Sequence, residues 1–299
     1  MKLVSFTERV PQGGRAARIG AIVEDQVVDL SAADSALPPS MQGLIAGGPS
    51  VLRAAKSALQ SGKGRLPRNS VEIQAPLPRP ARNIFCVGKN YHEHAVEFDR
   101  SGFNATQTKD AIPSFPIIFT KASNSVIGEG KPIPAHLDPT TSVDYEGELA
   151  VVIGKGGIGI SKKKALDHVF GYTIVNDVTS RLLQKQHQQW FLGKSIDGFC
   201  PMGPAIVTTD EITDPGALRL QTFVNGELRQ DAMVSQLIFD IPTLIETLSR
   251  TITLEPGDII ATGTCAGVGI GFDPPKYMSR GDKVAIKIEP IGTLENPVE

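Results

Sequence analysis

The sequence predicts a strand-rich α+β fold with a small N-terminal α/β domain, and three observations predict it. Glycine and proline are abundant, 30 and 22 in 299 residues, while aromatic content is 6%. That balance favours many turns between short strands. Apolar residues fall in short runs separated by turn residues. A stretch dense first in glycine and then in proline, Ser61-Gly62-Lys63-Gly64-Arg65-Leu66-Pro67 followed by Pro76, Pro78 and Pro80, reads as a linker. It sets a boundary near residue 72 and divides the chain into 1–72 and 73–299.

In chain order, Ala17 to Val23 and Gln26 to Leu30 read as two strands joined around Glu24-Asp25. Ser50 is expected to cap a helix through Leu59, with Val51, Leu52, Ala55 and Leu59 near helical spacing. Beyond the linker, Asn83 to Val87 and Pro116 to Thr120 read as strands. The residues between them from Arg100 to Phe115 lack periodicity, which fits a closing lid or a plain mobile loop. Tyr172 to Asn176 is a further strand. Leu218 to Val224 and Glu227 to Arg229, joined by Asn225-Gly226, read as a tight hairpin. Asp240 suits a helix N-cap with Pro242 in the first turn and Leu244, Ile245 and Leu248 on one side. Ile259 to Ala261 and the alternating Lys283 to Ile288 complete the strands.

Composition removes several function classes. Net charge is −2 with no basic run, which argues against a nucleic-acid partner. The N-terminus meets charge before any long apolar core, unlike a signal peptide, and no apolar run reaches membrane-spanning length. Cys86, Cys200 and Cys265 are odd in number and widely spaced, so no disulfide framework is implied. A cytoplasmic, reducing setting is the expectation.

The segment Asp144-Tyr145-Glu146-Gly147-Glu148-Leu149-Ala150-Val151-Val152-Ile153 carries two glutamates two apart in a strand-like run. Side chains at i and i+2 of a strand share a face. Carboxylates held that close repel, and a hard divalent cation such as Mg2+, Mn2+ or Ca2+ can hold both ionised. Asp177, closing the run from Tyr172, is placed to give a third oxygen. The spacing alone also fits an exposed acidic strand face.

Other segments offer chemistry with plain alternatives. Gly154-Lys155-Gly156-Gly157-Ile158-Gly159 fits the pattern GxGxxG after a strand, with Asp177 near the distance of a ribose-binding acid. The space for a crossover helix, about Ser161 to Phe170, is short, and Glu146 and Glu148 do not suit a central parallel strand. A glycine-rich turn is the better reading; nucleotide binding is the alternative from another class. Gly193-Lys194-Ser195 echoes a P-loop, but Gln188 stands where its first glycine should be. His94 and Glu97 share a face if His92 to Phe98 is helical, giving either a general-base pair or a surface pair. His92 with His94 has no partner spacing for zinc. Lys194 follows Trp190-Phe191-Leu192-Gly193, an apolar setting for an oxyanion-stabilising or a snorkelling cation. Thr262 to Gly269 offers backbone N–H groups suited to an anion, or simply turn geometry.

Taken in order, these segments resemble the fumarylacetoacetate hydrolase superfamily from about residue 75 to the C-terminus. The resemblance runs through Cys86-Val87-Gly88-Lys89-Asn90-Tyr91 with His94, Asp144 to Leu149, Gly171 to Thr179, Gly193-Lys194-Ser195 and Cys200-Pro201-Met202-Gly203-Pro204. It continues in Val224-Asn225-Gly226, Gly257 to Thr264 and Gly292-Thr293-Leu294. The chain looks most like bacterial members with a short N-terminal domain, which include an oxaloacetate decarboxylase. The resemblance implies a mixed β-roll or β-sandwich catalytic domain, a homodimer, and Mg2+ or Mn2+ on Glu146, Glu148 and Asp177, with Ca2+ as a substitute. It assigns His94 and Glu97 as a water-activating dyad beside catalytic Lys194, and Lys121, Gln184 and Thr264 as substrate contacts. Two positions depart from many relatives: Cys265 stands where they have proline, and Leu182 where they have aspartate.

The implied activity is C–C hydrolysis of an acylpyruvate-like 2-oxo acid through a metal-stabilised enolate. Oxaloacetate decarboxylation or tautomerisation is the alternative at the same site, because all three reactions pass through that enolate.

Overall fold

The computed structural model describes residues 1–9, 16–103 and 112–299. Half of the lid expectation, residues 104–111, falls outside the described residues. The fold is strand-rich. A mixed sheet runs in spatial order through Arg65–Pro67, Gln26–Asp29, Arg18–Val23, Lys2–Glu8, Cys200–Thr208, Val169–Asn176, Gly147–Ile153, Ile259–Ala261, Ile84–Gly88 and Ile117–Lys121. Val71–Gln74 adds to Lys2–Glu8, and Val126–Ile127 to Cys200–Thr208. A second, four-stranded sheet has the order Glu227–Met233, Arg219–Val224, Lys283–Ile288, Gly292–Pro297.

The strand Gly147–Ile153 is buried along its whole length and explains the layering. Leu149, Val151 and Ile153 pack with Leu220, Ile286 and the helix residues Leu244 and Leu248. Ala150 and Val152, on the opposite face, pack with Leu44, Ile45, Ala55 and Ala58 from the N-terminal helices Met41–Ala46 and Gly48–Gln60. A strand covered on both faces is apolar throughout, and Glu148 is its one charged residue.

Most expected elements form within a residue or two of their sequence bounds. The hairpin turn uses left-handed Asn225 and Gly226, φ 52° and 81°, as a tight turn between twisted strands demands. Asp240 caps helix Ile241–Ser249 by accepting from Thr243 N at 2.9 Å. Ser50, expected as a cap, instead lies inside its helix. That helix begins after Gly47 with Pro49 in the first turn, where a missing N–H costs nothing.

The dinucleotide reading of Gly154–Gly159 is overturned by topology. The flanking strands Gly147–Ile153 and Val169–Asn176 are antiparallel neighbours, not parallel strands joined by a crossover helix. Between them stands a 3-10 segment, Lys162–His168. The backbone donors a phosphate would need are already used: Gly154 N and Lys155 N donate to His168 O, Gly157 N to Leu254 O, and Gly159 N to Ser249 O. Among the described residues no helix is long and apolar enough to cross a membrane.

Candidate active site and metal centre

Glu148 lies in strand Gly147–Ile153 with Glu146 immediately before it, and antiparallel register completes the acidic cluster. Gly147 pairs with Asn176, so Asp177 arrives beside Glu146, and Asp177 N donates to Glu146 O at 2.8 Å. One carboxylate oxygen from each of Glu146, Glu148 and Asp177 lies within 4.8 Å of the others. All three residues are buried.

Cations of the chain neutralise two of the three. Lys194 Nζ stands 2.8 Å from Glu146 Oε2 and 2.7 Å from Asp177 Oδ2. Arg181 Nη1 is 2.6 Å from Glu146 Oε1, and Lys121 Nζ is 2.8 Å from Asp177 Oδ1. Glu148 has no such partner among the described residues and accepts one backbone bond, from Gly263 N at 2.8 Å. Burial, then the charges of Asp177 and Glu146, push the Glu148 carboxyl well above the usual range. Burial also opposes ionisation of Glu146, but Lys194 and Arg181 outweigh it and hold that carboxyl low. For Lys194, burial works against the charge, and Asp177 and Glu146 more than compensate, so its ammonium titrates above the usual lysine value.

This donor set fits a hard divalent ion. It is all oxygen, and Glu148 is a buried acid short of positive charge. Asp177 Oδ1, despite its ion pair with Lys121, makes no well-directed hydrogen bond among the described residues and leaves a buried acceptor open.

Helix His92–Arg100 carries His94 and Glu97 one turn apart, with His94 Nδ1 and Glu97 Oε2 separated by 3.0 Å. Glu97 Oε1 accepts from Gly267 N at 2.9 Å, so both carboxylate oxygens are held. A carboxylate on Nδ1 orients the imidazole and leaves Nε2 for proton transfer. His92 on the same helix is exposed. Glycine at 271 is what leaves room for Glu97: a Cβ there would lie 1.8 Å from Glu97 Oε1. Gly271→Ala is therefore expected to break the dyad without touching substrate. Turnover that needs an activated water should fall by about 10²-fold or more, with divalent-cation affinity, read by isothermal titration calorimetry, unchanged. Unaltered kcat would disprove that role for the dyad.

His94, Glu146, Gln184, Lys194 and Thr264 line one cleft, together with Arg181 and Trp190. Thr264 Oγ1 donates to Gly147 O at 2.9 Å and accepts from Gln230 Nε2 at 2.7 Å, tying its loop to the acid-bearing strand. Gln184 Oε1 accepts from Arg181 Nη1 at 3.2 Å. Gly193 lets the segment carrying Lys194 close onto its neighbour: a Cβ would meet Gln184 N at 2.5 Å.

Lys121, expected as a substrate contact, lies behind the acid cluster in this structure. Its side chain is fully buried and absent from the cleft wall. Its ammonium donates to Val178 O and Lys194 O and pairs with Asp177, so it braces the site. The anion-contacting loop also resolves differently. Gly263, Gly267, Gly269 and Ile270 do donate to anions, but these are the chain's own Glu148, Glu97 and Asp144.

Two residues escaped the sequence reading. Arg181, fully buried, joins Asp144 Oδ2 (Nε, 2.8 Å) to Glu146 and leaves Nη2 without a partner among the described residues. Asp144 accepts from Arg181 Nε, Tyr145 N, Gly269 N and Ile270 N and so couples the acid cluster to the loop that holds Glu97. The available signal was the excess of carboxylates over bases in an apolar stretch, which requires a buried cation from elsewhere.

Fold and cleft together define a class: a strand-rich enzyme with a buried oxygen-ligand cluster beside a histidine–glutamate pair. Residues 83–299 match the model of the fumarylacetoacetate (FAA) hydrolase C-terminal family. The chain belongs to this family. It is 47% identical to oxaloacetate tautomerase YisK of Bacillus subtilis (strain 168) over 94% of this chain and 95% of that protein. Among solved structures it superposes on a fumarylacetoacetate hydrolase from psychrophilic Exiguobacterium antarcticum with a TM-score of 0.83, 42% identity and coverage of 100% and 99%. It also superposes on maleylpyruvate hydrolase from Sphingobium sp. SYK-6, in complex with manganese(II) and pyruvate, with a TM-score of 0.78, 32% identity and coverage of 100% and 98%.

Proposed function

We propose that the chain is a divalent-cation-dependent enzyme acting on a small enolisable 2-oxo acid, with C–C hydrolysis of an acylpyruvate-like substrate as its reaction. The observation that carries this reading is the His94–Glu97 pair, whose histidine lines the same cleft as Glu146 and Lys194. Glu146, Glu148 and Asp177 would hold Mg2+ or Mn2+, with Ca2+ as a substitute. A bound ion would act as a Lewis acid on the substrate's 2-oxo acid end and favour its enolate. His94, oriented by Glu97, takes a proton from water through Nε2. Lys194 and Gln184 face the oxyanion formed as water adds to the distal carbonyl. Arg181 Nη2, buried and without a partner among the described residues, offers a further donor.

A second reading, keto–enol exchange of oxaloacetate with decarboxylation beside it, is favoured by the name of the 47% identical Bacillus relative. Here His94 would move the C3 proton. The residues of 1–72 are proposed as a small N-terminal domain beside the catalytic 73–299, in keeping with the family match from residue 83. A homodimer follows from the family resemblance. Three buried free cysteines suit a cytoplasmic setting, and near-balanced charge suits a small-molecule rather than nucleic-acid partner.

The experiment is a substrate panel on chelator-stripped protein with Mg2+ or Mn2+ restored. Acylpyruvates should be cleaved only with the ion present. If they stay intact while oxaloacetate interconverts or loses CO2, the hydrolase reading gives way to the second. If neither acid reacts, both readings fail.

A further inference from the structure

Trp190, the only tryptophan of the chain, is not used by the chemistry above, yet the fold spends strain to place it. Its backbone is left-handed, φ 69°, a conformation that a bulky residue adopts only when its surroundings impose it. Those surroundings are specific. The indole meets Phe119 edge-on at 5.2 Å between centroids and Phe98 at 6.1 Å. It fills the space beside Gly88, where a Cβ would lie 2.7 Å from the ring. Its carbonyl accepts from Lys194 N at 3.0 Å, so its position is tied to that of the lysine. The residue is 95% buried, being 5% exposed, and lines the cleft. Its one polar atom, Nε1, has no acceptor among the described residues. A buried indole N–H is ordinarily paired, because leaving it unmet costs the hydrogen bond it gave up in water.

We propose that the Trp190 Nε1–H is a specificity-determining donor to substrate, met by an oxygen on the part of a 2-oxo acid beyond its keto carbon. This rests on the functional reading above. The carboxylate and keto oxygens of such an acid belong at the Glu146–Glu148–Asp177 end. Trp190 stands on the wall built by Val87, Gly88, Phe98 and Phe119, which supplies none of those ligands. The ring gives that wall its apolar face, and the N–H is a neutral donor within it. The substrate class it selects is a 2-oxo acid with a second carboxylate or carbonyl at its distal end, over one ending in a bare alkyl group.

Two measurements test this. With [15N]tryptophan the protein gives a single indole cross-peak, which is Trp190. In the presence of Mg2+, its proton should move downfield with difluoro-oxaloacetate, which keeps the distal carboxylate and cannot enolise, and stay in place with pyruvate. In Trp190→Phe, which keeps an aromatic ring and removes the N–H, kcat/KM for oxaloacetate should fall tenfold or more. Deuterium exchange into the methyl group of pyruvate should fall by a much smaller factor. An indole proton unmoved by difluoro-oxaloacetate, or equal losses on the two substrates, overturns the assignment, and the first of these is read on wild-type protein whatever the variant's folding. Wild-type protein inert toward acylpyruvates and oxaloacetate alike would instead defeat the functional reading, and this inference with it.

Discussion

Glu148→Gln is expected to abolish cation-dependent turnover while leaving the metal-free protein at least as stable as wild type. The first half follows from the donor set: a Lewis acid contributes several kcal/mol to such chemistry, so losing one of its three carboxylates should cost about 10³-fold or more in kcat/KM. The second half follows from the charges. Glu146 and Asp177 are gripped by Lys194, Arg181 and Lys121, whereas Glu148 is a buried acid with no ion-pair partner among the described residues. A neutral amide of the same shape relieves the burial and repulsion that raise its pKa. Glu146→Gln should do the opposite, because it strips Arg181 Nη1 and Lys194 of a buried counter-charge. Breaking one side of a buried pair costs about 3–5 kcal/mol, a fall in Tm of roughly 6–10 °C for a chain of this size.

The same comparison has a pH signature. Because Glu148 holds its proton more tightly in the fold than in the unfolded chain, the native state carries more protons above the usual carboxylate value of 4.5. Metal-free wild-type stability should therefore fall as pH rises from there through the raised value. Glu148→Gln should remove that slope. Cation binding must displace the proton, so wild-type affinity should climb with pH and binding should release a proton to buffer. Thermal melts in chelator across pH, with calorimetric titration of Mn2+ in two buffers, read all of this. A Glu148→Gln protein melting well below Glu146→Gln would show that the charge assignment is wrong.

What the sequence made legible was whatever depends on local period. An i, i+2 step in a strand-like run brought Glu146 and Glu148 together, and a helical i, i+3 step brought His94 to Glu97. What it hid depends on the direction of long side chains across the fold. Lys121 and Lys194 both read as cations near apolar strands, yet one braces Asp177 from behind and the other faces the cleft. That difference is set by which element covers each, and no spacing encodes it. Arg181 was invisible for the same reason: its partners Asp144 and Glu146 lie a whole strand pair away in sequence. The Thr262–Gly269 loop fits an anion contact or plain turn geometry by sequence, and only the register of its neighbours shows that it donates to anions and that these are internal.

His94→Asn should separate the reactions that share this cleft. Hydrolysis needs a water deprotonated by a base with a free ring nitrogen; asparagine offers no base, so kcat for acylpyruvate cleavage should drop about 10²–10⁴-fold. Decarboxylation of oxaloacetate needs no attacking water. The electrons left as CO2 departs flow toward the keto carbon, and the groups that favour that flow, the carboxylate cluster and Lys194, are untouched by the substitution. Its rate should hold within a few-fold. Keto–enol exchange should fall with hydrolysis, because His94 would move the C3 proton and the Lys194 ammonium, held charged by Asp177 and Glu146, has no lone pair to accept it. Glu97→Gln should show the same ranking with smaller losses, because the amide can still accept from Gly267 N but no longer stabilises the protonated imidazole. Parallel assays of the three reactions on one preparation decide it. An equal loss in all three would mean that His94 acts by shaping the cleft rather than by carrying a proton.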